Sequence, residues 1–273
     1  MSRNGAPDLL IRARAALLDA LEALVDHREA VVVIGAQAIY LHTGGASVAL
    51  AETTKDSDLA LDPRSLDDRP LIEDAMRAAG FDLDPRSRQP GTWINADGIP
   101  VDLMVPEALA GSGGRRGARV PPHSSRSMRR ASGLEAAVVD HHPMRIAALE
   151  PEDLRAYTAK VAGPAALLIS KLHKLAEREN QPDRLADKDA HDLYRILAAV
   201  SRDQLVDSLF LLRADPLAGP ATRNALQSLR RLFAAGPGAL GSTMAGRAEA
   251  GVGDPEVVSA SVAALAQDLL EAL

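Results

Sequence analysis

Thr53-Thr54-Lys55-Asp56-Ser57-Asp58-Leu59-Ala60-Leu61 carries the densest chemical potential in the sequence. Asp56 and Asp58 stand one residue apart at the mouth of an apolar run. Strand side chains alternate with period two, so both carboxylates point the same way. Such a pair can chelate one divalent ion or bridge two. Asp102, inside Val101-Asp102-Leu103-Met104-Val105, is a third carboxylate, and a charge flanked by apolar neighbours is costly without a partner. Three acidic side chains converging at strand ends make a hard, oxygen-only site suited to Mg²⁺ or Mn²⁺. The same residues admit a plainer reading, in which Asp58 caps a turn and Asp102 pairs with an arginine.

Upstream, Val31-Val32-Val33-Ile34 runs into Gly35-Ala36 and then a helix start, and backbone N–H groups at such a helix end favour phosphate. An ordinary strand-to-helix turn would use the same glycine. Downstream, Lys171, Lys174 and Arg178 recur at i, i+3 and i+7, hence on one helical face able to neutralise phosphate oxygens. Asp189 and Asp192, beside Lys188, share a face of a following helix and can orient Lys171 or a nucleotide. A solvated face laced with salt bridges is the alternative for both helices. His141-His142 before Pro143 reads as a polar turn between strands rather than a metal pair, and His173 and His191 as local hydrogen-bond partners.

These groups need elements to hold them. Short apolar runs at 31–34, 58–61 and 101–105 read as strands, with further candidates at Leu134–Val139 and Met144–Ala148. They alternate with amphipathic helices at 8–29, 36–42 and 71–79, which points to a mixed α/β sheet over residues 1–150. After Pro164 the periodicity is helical at 165–178, 185–200, 202–212, 222–234 and 255–273, so residues 151–273 read as a helical bundle. Gly111–Gly133, rich in Gly, Ser, Pro and Arg, reads as a mobile loop, and Pro237–Asp254 as a linker.

Composition limits the classes. With 47% hydrophobic and 25% charged residues in 273, the chain suits a folded soluble protein, and disorder throughout is excluded. Aromatics at 3% rule out base stacking as the main binding device, and the absence of cysteine excludes zinc fingers and thiol catalysis. A net charge of −6 means that any nucleic acid must be held by a local patch. No apolar run approaches the roughly 20 residues of a membrane helix, and Met1–Pro7 lacks a signal-like segment, so the expectation is a cytoplasmic protein without a membrane partner.

Strand, Gly35-Ala36, helix, Thr54-Lys55-Asp56-Ser57-Asp58-Leu59 and the later Asp102 together resemble the polymerase-beta-like nucleotidyltransferase core. Lys171-Leu172-His173-Lys174-Leu175-Ala176-Glu177-Arg178, followed by Lys188-Asp189-Ala190-His191-Asp192-Leu193, resembles the paired helical motifs of the AbiEii/MenT-like branch, known for toxins of bacterial toxin–antitoxin pairs. Two departures stand out: Gly-Ala replaces the usual Gly-Gly or Gly-Ser, and the stretch between Gly35 and Asp56 is long.

The resemblance implies a nucleotidyltransferase core followed by a helical domain that adds residues to the cleft. It implies a metal-dependent enzyme moving a nucleoside monophosphate from a nucleoside triphosphate to a hydroxyl and releasing pyrophosphate. Asp56, Asp58 and Asp102 would hold Mg²⁺ or Mn²⁺, and Lys171 would serve catalysis. Gly35, Ala36, Thr54, Lys174, Arg178, Asp189 and Asp192 would bind the nucleotide. The acceptor would be RNA such as a tRNA end, its backbone held by Arg115, Arg116, Arg119, Arg126, Arg129 and Arg130, and an antitoxin would be a partner. A small-molecule or protein hydroxyl acceptor, or a non-catalytic scaffold of the same fold, are the competing readings.

Overall fold

The computed structural model describes residues 5–44, 56–87, 89–113, 116–181, 183 and 185–273. Thr54 and Arg115, and most of the insert before Asp56, lie outside them.

The chain opens with α1 (Gly5–Ala23), ended by a 3₁₀ turn at Val25–His27 where the sequence pattern would continue the helix. Strand β1 (Val31–Ile34) is buried at every residue and passes into α2 (Gly35–Thr43). Then follow β2 (Ser57–Leu61), α3 (Ile72–Ala78), β3 (Asp82–Leu83), β4 (Thr92–Ile94) and β5 (Pro100–Pro106). Three more strands complete the sheet: β6 (Arg129–Ala131), β7 (His141–Ala147) and β8 (Ala156–Ala162). Its order is β3-β4-β5-β2-β1-β8-β7, and β6 pairs with β5 beyond the end of β4. β1 runs antiparallel to β2 and parallel to β8, while β2 runs parallel to β5, so the sheet is mixed. β8 carries the sheet past residue 150.

The rest is helical: α4 (Pro164–Arg178), α5 (Asp187–Ala199), α6 (Arg202–Ala214), α7 (Gly219–Leu229) with a π-helical turn after it, α8 (Leu240–Ala248) and α9 (Pro255–Glu271). Pro164 at the first turn of α4 needs no N–H partner, and Asp254 caps α9 by accepting from the amides of Glu256 and Val257. One apolar cluster runs from α1 through the sheet to α9.

Four readings from sequence change. Leu134–Val139 is a succession of buried turns, whose apolar side chains are covered without any strand pairing; the carboxylate of Glu135 accepts from the amides of Ala108 and Gly133. The 237–254 stretch contains α8. Its small residues hid it: Gly241 packs on Phe233, and Gly246 faces Pro255 and Ser259 of α9 so closely that any side chain would clash. The arginine-rich segment holds β6 rather than staying a loop throughout. His141 and His142 lie within β7, not in a turn.

Candidate active site

Ser57 donates to the carbonyl of Ala13 in α1 at 2.9 Å, which fixes that face of β2 against α1. Alternation then puts Asp58 on the opposite face, towards the start of α2. Asp58 is the register partner of Ile34 on β1 and of Asp102 on β5, so the two carboxylates stand side by side on adjacent strands. Val101 and Leu103, fully buried, occupy the other face of β5. A charged residue can thus sit inside an apolar strand, because its neighbours in sequence point the other way.

Gly35 has φ +67°, and a Cβ there would lie 2.1 Å from Asp58 Oδ2. Gly35, whose place in the sequence fits either a phosphate-facing turn or an ordinary one, is required here for the close approach of the Asp58 carboxyl.

Those carboxylates face cations across a cavity of about 400 Å³ lined by Gly35, Asp58, Arg129, Lys171, Lys174 and Arg178 among others. Lys171 is buried and bonded to Asp189 at 2.7 Å and to Asp192 at 2.6 Å. Burial opposes its charge, but the two carboxylates outweigh that and raise its pKa above the ordinary lysine range. Asp189 also accepts from Lys174 at 2.8 Å and lies 3.7 Å from Arg178. Burial pushes the Asp189 carboxyl up, yet Lys171 and Lys174 prevail and hold it below its usual value. One carboxylate therefore aligns all three members of the basic stripe.

Asp58 behaves in the opposite sense. Burial first, then the charges of Asp56 and Asp102, push it up to about 7, with Lys174 and Arg129 pulling it down. The side chain keeps partial access to solvent through the cavity while protein crowds its carboxyl group. Asp102 pairs with Arg129, Oδ2 to Nη1 at 2.6 Å, and its Oδ1 is buried without a hydrogen-bond partner among the described residues. Among the described residues no group of three His, Asp or Glu side chains is gathered closely enough to hold a metal ion as it stands. Two adjacent carboxylates, one with an orphaned buried oxygen and the other resisting ionisation beside like charges, nonetheless form a donor set that fits a hard divalent cation.

Of the residues singled out from sequence, Asp58, Gly35, Lys171, Lys174, Arg178, Arg116, Arg129 and Arg130 line the cavity. Asp102 lies beside Asp58, paired with Arg129, and Asp56 precedes β2, close enough to raise Asp58 electrostatically. Asp189 and Asp192 are buried behind Lys171, and Ala36 is buried in α2; none of the three lines the cavity. Arg119 and Arg126 are exposed away from it. Lys188, read from sequence as helping Asp189 and Asp192 to orient Lys171 or a nucleotide, has its pKa lowered by burial and by the charge of Lys171, while Asp192, Asp56 and Asp58 act in the opposite sense. His173 bonds the Ala221 carbonyl and His191 the Glu249 carboxylate, both structural contacts.

Carboxylates and ammonium groups opposed across one cavity suit a substrate bearing phosphates together with a cation, the requirement of nucleotidyl transfer. The nucleotidyltransferase family profile matches residues 12–211, and the chain belongs to that family. It is accordingly an enzyme that transfers a nucleotidyl group. No curated protein and no solved structure matches the chain significantly. No helix among the described residues is long and apolar enough to cross a membrane.

Proposed function

We propose that this nucleotidyltransferase moves a nucleoside monophosphate from a nucleoside triphosphate to a hydroxyl of RNA, a tRNA end being the acceptor to test first. We place it with the AbiEii/MenT-like toxins, as a cytoplasmic protein with a cognate antitoxin. The observation that carries the transfer reading is the register pairing of Asp58 with Asp102 opposite the Lys171–Lys174–Arg178 stripe. The branch is supported by the meeting of its two helical motifs, where Lys171 is clasped by Asp189 and Asp192.

Asp58 and Asp102, with Asp56, would hold Mg²⁺ or Mn²⁺, which when bound supplies positive charge to the triphosphate. The acceptor oxygen forms a bond to the α-phosphorus as the bond to the bridging oxygen breaks and pyrophosphate leaves. Asp102 would take the proton the hydroxyl loses. An ammonium has three donors, so Lys171 keeps one beyond its two carboxylates and Lys174 keeps two for the leaving pyrophosphate. Arg116, at the cavity, and Arg119 and Arg126, outside it, all exposed, would meet the RNA backbone.

The test is incubation with each labelled triphosphate, Mg²⁺ and total RNA, read on a gel. Label entering RNA, and lost on Asp58→Asn, is the expected outcome. The net charge of −6 favours a small-molecule or protein hydroxyl instead, and label appearing there rather than in RNA would move the acceptor accordingly.

A further inference from the structure

We propose that Arg129 is an internal counter-cation for Asp102 that makes metal binding depend on nucleotide binding. It yields Asp102 when a divalent cation and a triphosphate enter together, and then pairs with phosphate oxygens. The inference rests on the reading of Asp58 and Asp102 as the metal-holding pair.

Arg129 lines the cavity, while Asp102, the carboxylate it neutralises, does not. Their contact is one of charge rather than a directed bond. Nη1 lies 2.6 Å from Asp102 Oδ2 yet lacks hydrogen-bond geometry, and Asp102 Oδ1 has no hydrogen-bond partner among the described residues. Little orientation is lost when such a pair separates.

The backbone beneath is fixed. Arg129 is in register with Met104 on β5, and the amide of Ala118 donates to the Met128 carbonyl next to it. The guanidinium can therefore move by rotation of its own side chain without any shift of the strand.

The other cavity cations differ in what holds them. Arg130 is tied to Glu107 and to the carbonyls of Ala110 and Gly111, and Lys171 and Lys174 to Asp189. None of those partners belongs to the Asp58–Asp102 pair that would hold the metal. The partner of Arg129 is Asp102 of that pair, and two cations cannot share it at close range without repulsion. A metal arriving alone must displace Arg129 into a cavity already rich in positive charge. One arriving with a triphosphate brings the anion that receives Arg129. The residue thus acts as a positioning residue through Asp102.

The test is titration of the full chain with Mn²⁺ by calorimetry, with and without a non-hydrolysable triphosphate. We expect wild type to bind Mn²⁺ at least tenfold more tightly with the triphosphate than without. Arg129→Gln should tighten binding of Mn²⁺ alone about tenfold and weaken the triphosphate, so that the advantage collapses, while Arg129→Lys should retain most of it. On the unaltered protein, the Arg129 guanidinium resonance in nitrogen-15 NMR should shift with Mg²⁺-triphosphate and not with Mg²⁺ alone, a readout that stands even where Arg129→Gln fails to fold. An unmoved resonance, or Mn²⁺ affinity and coupling unchanged in Arg129→Gln, overturns the role of Arg129. Should Asp102→Asn abolish Mn²⁺ binding in that same experiment, the metal-holding pair survives. Absence of Mn²⁺ binding in every protein, with and without triphosphate, overturns both readings.

Discussion

At Asp58 the site works against the fold. A carboxyl whose pKa is pushed up to about 7 is ionised only at a cost, and the cost has a sign that can be measured. The unfolded chain loses this proton near the usual carboxylate value of about 3.9, so between that value and about 7 the folded state binds more protons and stability falls as pH rises. Asp58→Asn removes the penalty. In metal-free protein the variant should be more stable than wild type at pH 8, on the order of 2 kcal/mol after allowing for solvent in the cavity, with the gain vanishing near pH 4. Denaturant melts across that pH range check it, and a gain that grows towards acid would contradict the assignment. Transfer should meanwhile drop by about a thousandfold, on the scale of lost electrostatic stabilisation in a polar active site. Lys171 and Lys174 separate along a different line. Lys171→Ala would leave Asp189 and Asp192 buried with less compensation, an expected loss of about 3 kcal/mol. Lys174 is 40% exposed, so Lys174→Ala should leave the melting temperature nearly unchanged and raise KM for the triphosphate. Parallel melts and kinetics distinguish the two residues.

The elements succeed in placing these groups because β1, β2 and β5 keep one register, Ile34 to Asp58 to Asp102. Gly35 is the tightest constraint on it. Gly35→Ala combines a positive φ with a Cβ on top of the Asp58 carboxyl, so the expected result is about 1–2 kcal/mol of backbone strain and at least a hundredfold loss of transfer as Asp58 is displaced. Circular dichroism and single-turnover assays would show whether fold and chemistry part company in this way. The strands that hold the carboxylates were legible in the sequence because they are short, apolar and closed by Gly or Pro. So was the Lys171 stripe, since helical spacing alone puts Lys171, Lys174 and Arg178 on one face. The clasp of Lys171 by Asp189 and Asp192 depends on how α4 meets α5, and spacing within one helix says nothing of depth; both acids lie behind the lysine. β6 was hidden for another reason: Arg129-Arg130-Ala131 has no strand pattern of its own, and its pairing to β5 is a long-range contact. The plainer reading of Asp102, a pairing with an arginine, holds, but which arginine it is depends on that same strand pairing. α8 escaped because packing, not hydrophobicity, chose its glycines.

For the whole molecule the question is how a chain of net charge −6 would hold a polyanion. Bulk attraction is absent, so an RNA acceptor would have to be gripped near the cavity, where Arg116 and Arg130 lie, and along the segment carrying Arg119 and Arg126. Arg130 is committed to Glu107 and to two carbonyls, which makes it a poor phosphate ligand without rearrangement. The exposed Arg116, Arg119 and Arg126 are the better candidates. Each phosphate contact contributes roughly one unit to the slope of log affinity against log salt, so Arg116→Ser, Arg119→Ser and Arg126→Ser combined should lower that slope by about two to three and weaken RNA binding in low salt. Arg119 and Arg126 lie outside the cavity lining, so the pair Arg119→Ser and Arg126→Ser should leave triphosphate affinity unaltered by calorimetry. Filter binding of RNA over a salt series reads the first effect. A slope that stays the same in the triple variant while RNA is still labelled would place the acceptor on another face, and affinity without any salt dependence would favour a small-molecule hydroxyl as the group that receives the nucleotide.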